Sequence, residues 1–269
     1  MGNDPKVNFK ILFITQDDPF YVKIFFEEFF KEYDSLKEIS GVIIASSMGK
    51  KNVFQLGRQM LEFYGPADFF KMGRKYLRVR LSALSNGVLN REGHSNLAQL
   101  CKFYGIKYFL TNAINSESVL KQLQEMDLDL IISVAAPVLF KQDLISLPRY
   151  GCINIHNAKL PKYRGMMPNF WQMYHGEKTT GITIHEINPK IDDGRILFQE
   201  EMEIAEGETL DSLIRKTKKA GAHMMIEAIR QIKRGAVQYL ENPAAEGSYY
   251  SFPKREDVKE FKKRGYRIF

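Results

Sequence analysis

Residues 151–197 of this 269-residue chain gather the side-chain types that acyl chemistry needs: an Asn-x-His pair at Asn154 and His156, then two adjacent acids, Asp192 and Asp193, ahead of Gly194. In Cys152-Ile153-Asn154-Ile155-His156, small or polar residues alternate with apolar ones. This is the period of a strand, so Asn154 and His156 share one face and Ile153 and Ile155 the other. Thr183-Ile184-His185-Glu186-Ile187 is a second alternating run, ended by the turn residues Asn188-Pro189 and Asp192-Asp193-Gly194. An acid from that turn would close on the Asn/His face. An amide, an imidazolium and a carboxylate meeting in one pocket suit acyl transfer to an amine. The first two stabilise an oxyanion, and the carboxylate manages the proton that the amine loses. No nucleophilic side chain is required.

At these residues the chain resembles the folate-dependent formyltransferases, a family that includes methionyl-tRNA, glycinamide ribonucleotide and amino-sugar formyltransferases and formyltetrahydrofolate hydrolases. The matching text is N-x-H, then LPKYRG at 160–165, G-x-T-x-H at 181–185, and D-x-G-x-(I/L)-(I/L) at 192–197. Several ordered blocks within about forty-five residues are far more specific than a lone triad. Weaker resemblance runs back through 129–132, the loop 135–140 and the first strand at 10–15. The resemblance implies 10-formyltetrahydrofolate as co-substrate, and Asn154, His156 and Asp192 as catalytic residues. Asp193 fills the variable position between the acid and Gly194. The resemblance also implies a folate pocket formed partly by backbone after the strand that precedes N-x-H. In this chain that loop carries Ala136, Val138, Leu139 and Phe140, which with Asp192 are the candidate folate-binding residues. As plain sequence, 130–140 begins as a buried parallel strand in either case. His185 is either a neighbour of the active site or a hydrogen-bonded strand histidine; His94, His175 and His223 read as structural or solvent-facing. A metal at His156, His185 and Asp192 is not expected, since no H-x-H, HExxH or paired CxxC accompanies them.

Composition bounds the setting. With 44% hydrophobic residues the chain can bury a full α/β core. Its two cysteines, Cys101 and Cys152, suggest no disulfide framework, which fits a reducing cytosol. The longest apolar run, 130–140, is too short for a membrane span and is interrupted by Ser133 and Pro137. No signal pattern opens the sequence, so a cytoplasmic protein is expected. The net charge of +7 favours anionic partners such as a folate polyglutamate, a nucleotide-linked sugar, RNA or an acidic membrane.

The elements that must position these residues alternate. The pattern predicts strands at 7–15, 41–45, 107–110 and 129–134, with helices opening near Asp18-Pro19 and spanning 95–103 and 116–125. This order predicts a doubly wound, mostly parallel sheet, in which ligands bind beyond the carboxyl ends of the strands. The resemblance implies the same, a Rossmann-like formyltransferase fold. No G-x-G-x-x-G follows the first strand, which disfavours a nicotinamide cofactor. An insertion at 48–89 reads as two helical pieces broken at Gly65-Pro66. In the second piece Lys71, Arg74, Lys75, Arg78 and Arg80 interleave with bulky apolar residues. Such a stretch can lie on an anionic membrane, cover an anionic nucleotide-sugar, or pack on the domain as a flap. A helix capped by Thr209 and stopped at Gly235 follows the core.

The expected organisation is a catalytic domain at 1–205 and a C-terminal helix with a short tail at 206–269. That tail leaves too few residues for the barrel of methionyl-tRNA formyltransferases. The expected activity is therefore N-formylation of a small amine, such as a nucleotide- or lipid-linked amino sugar. A methionyl-tRNA formyltransferase, a formyltetrahydrofolate hydrolase, and a non-enzymatic RNA- or membrane-binding module are the alternatives. No stable nucleic-acid partner is expected, a membrane contact through 67–81 is an option, and the sequence leaves the oligomeric state open.

Overall fold

The computed structural model describes residues 9–18, 20–46, 53–85 and 96–269, and their side chains except those of 53, 75, 76 and 78–85. The beginning of the expected first strand, His94 and both edges of the 48–89 insertion lie outside the described residues. In chain order the elements are β1 (Ile11–Gln16), α1 (Val22–Glu32), β2 (Ile39–Ala45), α2 (Val53–Tyr64), α3 (Pro66–Ser85), α4 (Leu97–Phe103), β3 (Tyr108–Leu110), α5 (Glu117–Glu125) and β4 (Leu130–Val134). They continue with α6 (Gln142–Ile145), β5 (Cys152–His156), β6 (Arg164–Gly165), α7 (Pro168–Tyr174), β7 (Thr179–Glu186), β8 (Ile196–Glu203), α8 (Leu210–Arg234), β9 (Tyr249–Tyr250) and α9 (Arg255–Lys263).

A seven-stranded sheet runs in the order β3-β2-β1-β4-β5-β7-β8. Its first five strands are parallel, and β7 and β8 are antiparallel additions. Near-continuous apolar sequence in β1 and β4 matches burial on both faces. Ile11 and Phe13 enter one core with α1, α4 and α8, while Leu12 and Ile14 enter another with α5 and α6. The first core is rich in phenylalanine: Phe13, Phe26 and Phe29 pack edge to face at 5.0–5.3 Å. A third core, containing Phe63, Phe170, Trp171, Val258 and Phe261, joins α2, α7 and α9 beyond the sheet.

The helix signals act as their chemistry requires. Ser116 and Thr209 accept hydrogen bonds from the N–H groups of Val119 and Ser212, capping α5 and α8. Gly235 ends α8 at φ 64°, a left-handed conformation suited to glycine. Helix α8 packs across α1 and places Ala222, Met225, Ala228 and Ile229 in the first core. Residues 206–269 therefore share cores with residues 1–205. The expected strand at 183–187 is longer at its start, Thr179–Glu186, because hydrogen bonding with β8 begins at Thr179↔Glu203. Because β1 lies between β2 and β4, the chain winds outward in both directions, and the carboxyl ends of β1 and β4 frame a crevice. Asn154 and His156 stand at the carboxyl end of β5, next to it.

Candidate active site

Register places the chemistry. Strand β5 pairs antiparallel with β7 so that Asn154 lies opposite His185 and His156 opposite Thr183. The Asn154 amide donates to His185 Nε2 at 3.1 Å, and His185 Nδ1 donates to the Glu186 carbonyl at 2.8 Å. That second bond puts a proton on His185 Nδ1. It also sets the orientation of the Asn154 amide, whose other N–H has no partner among the described residues. His185, 2% exposed, is thus a neighbour of Asn154 and also a hydrogen-bonded strand histidine. Asn154 is half-buried and so reachable from outside.

His156 is buried and donates from Nε2 to the Tyr163 carbonyl at 2.8 Å, leaving Nδ1 turned toward Asp192 Oδ2 at 3.6 Å. Burial lowers the His156 imidazole below its ordinary range, and the Asp192 charge, which acts in the opposite sense, does not offset it. At neutral pH His156 is therefore an imidazole, where sequence reasoning expected an imidazolium; desolvation is the reason. Burial also works against the Asp192 carboxylate. Attraction to the His156 and His185 rings when they carry a proton, and a 2.8 Å hydrogen bond from Gly165 N, nevertheless hold it well below the usual range. Asp192 Oδ1 lies 3.5 Å from His185 Nε2, so one carboxylate spans both histidines.

Asp193 points elsewhere. Arg164 Nη1 donates to its Oδ1 at 2.6 Å, and Arg164 Nη2 donates to the carbonyl and side-chain oxygens of Asn242. The Asn242 amide in turn donates to the carbonyls of Asp192 and Gly194. The acid turn is thereby tied to the LPKYRG loop and to the C-terminal segment. Two glycines of the motifs are explained by close approach: a Cβ at Gly181 would overlap the backbone of Ala158 and Lys159, and one at Gly194 would overlap the Glu186 carbonyl. Thr183 Oγ1 donates to the Ala158 carbonyl at 2.6 Å. In G-x-T-x-H, then, Gly181 and Thr183 seat the loop after β5, and His185 meets Asn154. Ala135, Tyr163, Met167 and Asp192 all have φ between 49° and 61°. Backbone strain of this kind collects at functional loops.

The loop after β4 follows from the same register, because Ser133↔Asn154 and Val134↔Ile155 make the chain leave β4 at the level of His156. Asn115 holds the loop by donating to the Leu139 carbonyl and accepting from Lys141 N. Ala136 and Val138 are half-buried and Leu139 is 62% exposed, whereas Phe140 is turned into the second core and supports the loop from beneath. Of the remaining histidines, His175 is exposed and rests against Trp171 and Tyr250, and His223 faces Glu28 at 3.1 Å.

Sequence reasoning missed four contributors. Arg164 lay inside a quoted motif without a role, and Asn242 has no motif around it. Tyr250, in β9, stacks on Trp171 at 4.8 Å and on Tyr163 at 5.5 Å; β9 also pairs with β6, closing the C-terminal segment over the loop. Lys218 was hidden among the polar positions of an amphipathic helix. It is 8% exposed and has no hydrogen-bond or ion-pair partner among the described residues. One turn further along α8, Gly221 packs against Ile155 and Ile182, and two turns before Lys218 the Asp211 carboxylate accepts from Tyr21 beside the β1–α1 loop. Lys218 thus lies between the carboxyl ends of β1 and β5. Burial pushes its ammonium down to about 8.

A protein-family model described as formyl transferase matches residues 83–229. Methionyl-tRNA formyltransferase of Kosmotoga olearia is 35% identical over 160 residues, covering 60% of this chain and 51% of its own length. The chain thus spans about half the length of the curated relatives it matches. A phosphoribosylglycinamide formyltransferase from Anaplasma phagocytophilum superposes with a TM-score of 0.61 at 15% identity, over 91% of this chain and 100% of its own. An N-formyltransferase from Helicobacter canadensis, solved with folinic acid and dTDP-3-aminofucose, gives a TM-score of 0.56 at 17% identity over 93% and 72% of the two chains. At such identities the likeness is one of fold.

Proposed function

The chain belongs to the formyl transferase family, and from that premise we propose that it transfers a formyl group from 10-formyltetrahydrofolate to the amine of a small, nucleotide- or lipid-linked amino sugar. The observation that carries this reading is the meeting of Asn154, His156, His185 and Asp192 at the sheet's carboxyl edge, beside an apolar loop. Ala136, Val138 and the exposed Leu139 offer a partly open apolar wall for a pterin ring, and Asp192 offers an acceptor at its edge. The bound folate supplies an activated formyl carbonyl.

The residues then divide the work. The free N–H of the Asn154 amide donates to the oxygen on which charge develops, and His185 keeps that amide in orientation. His156 Nδ1 and Asp192 Oδ2 are two acceptors 3.6 Å apart, suited to taking the proton that an attacking amine loses. A neutral His156 performs this role; an imidazolium would not. Lys218 supplies a buried cation for an anionic group on the acceptor. A sugar linked to a nucleotide or a lipid phosphate carries such a group, as does the dTDP-3-aminofucose of the Helicobacter canadensis complex. A second reading is methionyl-tRNA as acceptor, favoured by the name of the Kosmotoga olearia relative.

Incubation with 10-formyltetrahydrofolate and a panel of nucleotide-linked amino sugars, methionyl-tRNA or buffer alone separates the readings. A formyl mass gain on a sugar, matched by tetrahydrofolate release, supports the first; a gain confined to tRNA selects the second. Formate without any acceptor would indicate a hydrolase. Asn154→Ala, His156→Ala and Asp192→Ala are each expected to lower turnover by ~10²–10³, while Asp193→Asn stays within about tenfold. Residual activity within tenfold at all three positions would sink the mechanism.

A further inference from the structure

Helices α2 and α3 form a hairpin whose outer face sets exposed large apolar side chains among basic ones. On α2, Phe54, Arg58 and Leu61 recur at i, i+4 and i+7; on α3, Phe70, Arg74 and Leu77 do the same. That spacing puts each trio on one side of its helix. The apolar members are exposed: Phe54 88%, Leu61 42%, Phe70 70% and Leu77 57%. Arg58, Lys71 and Arg74 are exposed beside them.

The other side of the hairpin is fastened to the body. Phe63, 2% exposed, packs on Phe170 and Phe252, and Lys262 Nζ donates to the Tyr64 carbonyl at 3.0 Å. Helix α3, 20 residues long, contrasts with the core helices, because none of its described side chains at 66–74 and 77 is buried. A helix of a folded domain normally gains its stability by burying an apolar face. Here Phe70 and Leu77 look outward.

We propose that α2 and α3 dock on the surface of a bilayer containing anionic lipid. Phe54, Leu61, Phe70 and Leu77 enter the boundary between headgroups and acyl chains, while Arg58, Lys71 and Arg74 meet lipid phosphates. Charge complementarity selects this occupant. In sequence the hairpin holds Arg58, Lys71, Arg74, Lys75, Arg78 and Arg80 against Glu62 and Asp68, in a chain of net charge +7. A second copy would set two basic faces against each other. RNA bases would stack on Phe54 and Phe70 but leave Leu61 and Leu77 without an apolar partner. No described helix is long and apolar enough to cross a membrane, so the contact is with the surface. The placement stands apart from the acceptor's identity, and it would bring the site to lipid-linked substrates.

Co-sedimentation of the full chain with vesicles of phosphatidylcholine and phosphatidylglycerol tests this against vesicles of phosphatidylcholine alone. Binding is expected to the mixed vesicles and to weaken as salt rises. Two variants, Phe54→Ser with Phe70→Ser and Arg58→Glu with Arg74→Glu, are each expected to weaken it at least tenfold. Their melting temperatures and their formyl transfer to a soluble acceptor should match the unaltered chain. Absence of sedimentation with the mixed vesicles overturns the proposal, as does binding that neither variant weakens. Loss in the variants of self-association or of tRNA retention, without vesicle binding, assigns the face to those partners instead.

Discussion

Asn154 and His185 face each other across β5 and β7, and His156 stands two residues along with its Nδ1 toward Asp192. These side chains set two pH effects of one sign. Folding holds the His156 imidazole below its ordinary value of 6.5, so on acidification the unfolded chain takes that proton first and stability falls below about pH 6.5. Folding also holds the Asp192 carboxylate below its ordinary value, contributing stability that is present above about pH 4 and lost as pH falls further. The melting temperature should therefore drop as pH falls from about 7 to about 5, and His156→Gln should flatten that part of the curve. An equal slope in the variant would remove His156 as its source. Lys218 gives a second test at this scale. Lys218→Met keeps the volume and removes the cation, so acceptor KM is expected to rise about tenfold or more with kcat little changed. A fall in kcat alone would instead place Lys218 among the groups that support the reacting atoms.

Between residue and domain, the loops around the site are seated by close backbone contact, without bulky side chains. Gly194 is the sharpest case, since a Cβ there would overlap the Glu186 carbonyl at the strand end where β7 leaves the sheet. Gly194→Ala is expected to cost about 1–3 kcal/mol through overpacking and to move the acid turn, seen as a lower melting temperature with lost turnover. If turnover survives unchanged, the turn tolerates displacement and Asp192 need not be held so closely. The Arg164–Asp193–Asn242 network belongs to the same scale: it joins motif, turn and C-terminal segment, so the tail helps to position the acid. Strand, helix and cap patterns were legible because each arises from local chemistry: period-2 alternation in β5, Ser116 and Thr209 as N-caps, Gly235 as a stop. Element ends shifted by a few residues wherever a partner strand or helix determined them.

At the level of the whole molecule, one sheet holds two kinds of neighbour. Parallel strands β1 to β5 build the crevice, and antiparallel β7 and β8 carry His185 and lead into and out of the acid turn. A donor seated against the 135–140 loop and Asp192 would bind the folded chain only. A 10-formyltetrahydrofolate analogue at about 100 times its Kd should therefore add roughly 2.7 kcal/mol to stability. Scanning calorimetry reads this as a rise in melting temperature; no shift at millimolar ligand would remove the folate from the reading.

By itself the sequence determined which residues could do the chemistry and which elements would hold them. Asn154, His156 and Asp192 stand in short motifs whose turns and alternation are local properties, and the resemblance lies in the same residues. Tertiary structure alone decided their mutual state. The separate directions of Asp192 and Asp193 depend on Arg164 and Asn242, which are 29 and 49 positions distant from Asp193. The neutral His156 depends on burial beneath strands and loops that sequence spacing does not display. So does the burial of Lys218, which in sequence is one lysine of a solvated-looking helix. Hydrogen-bond direction, desolvation and close approach are set by atoms brought together across the fold, and no linear pattern records them.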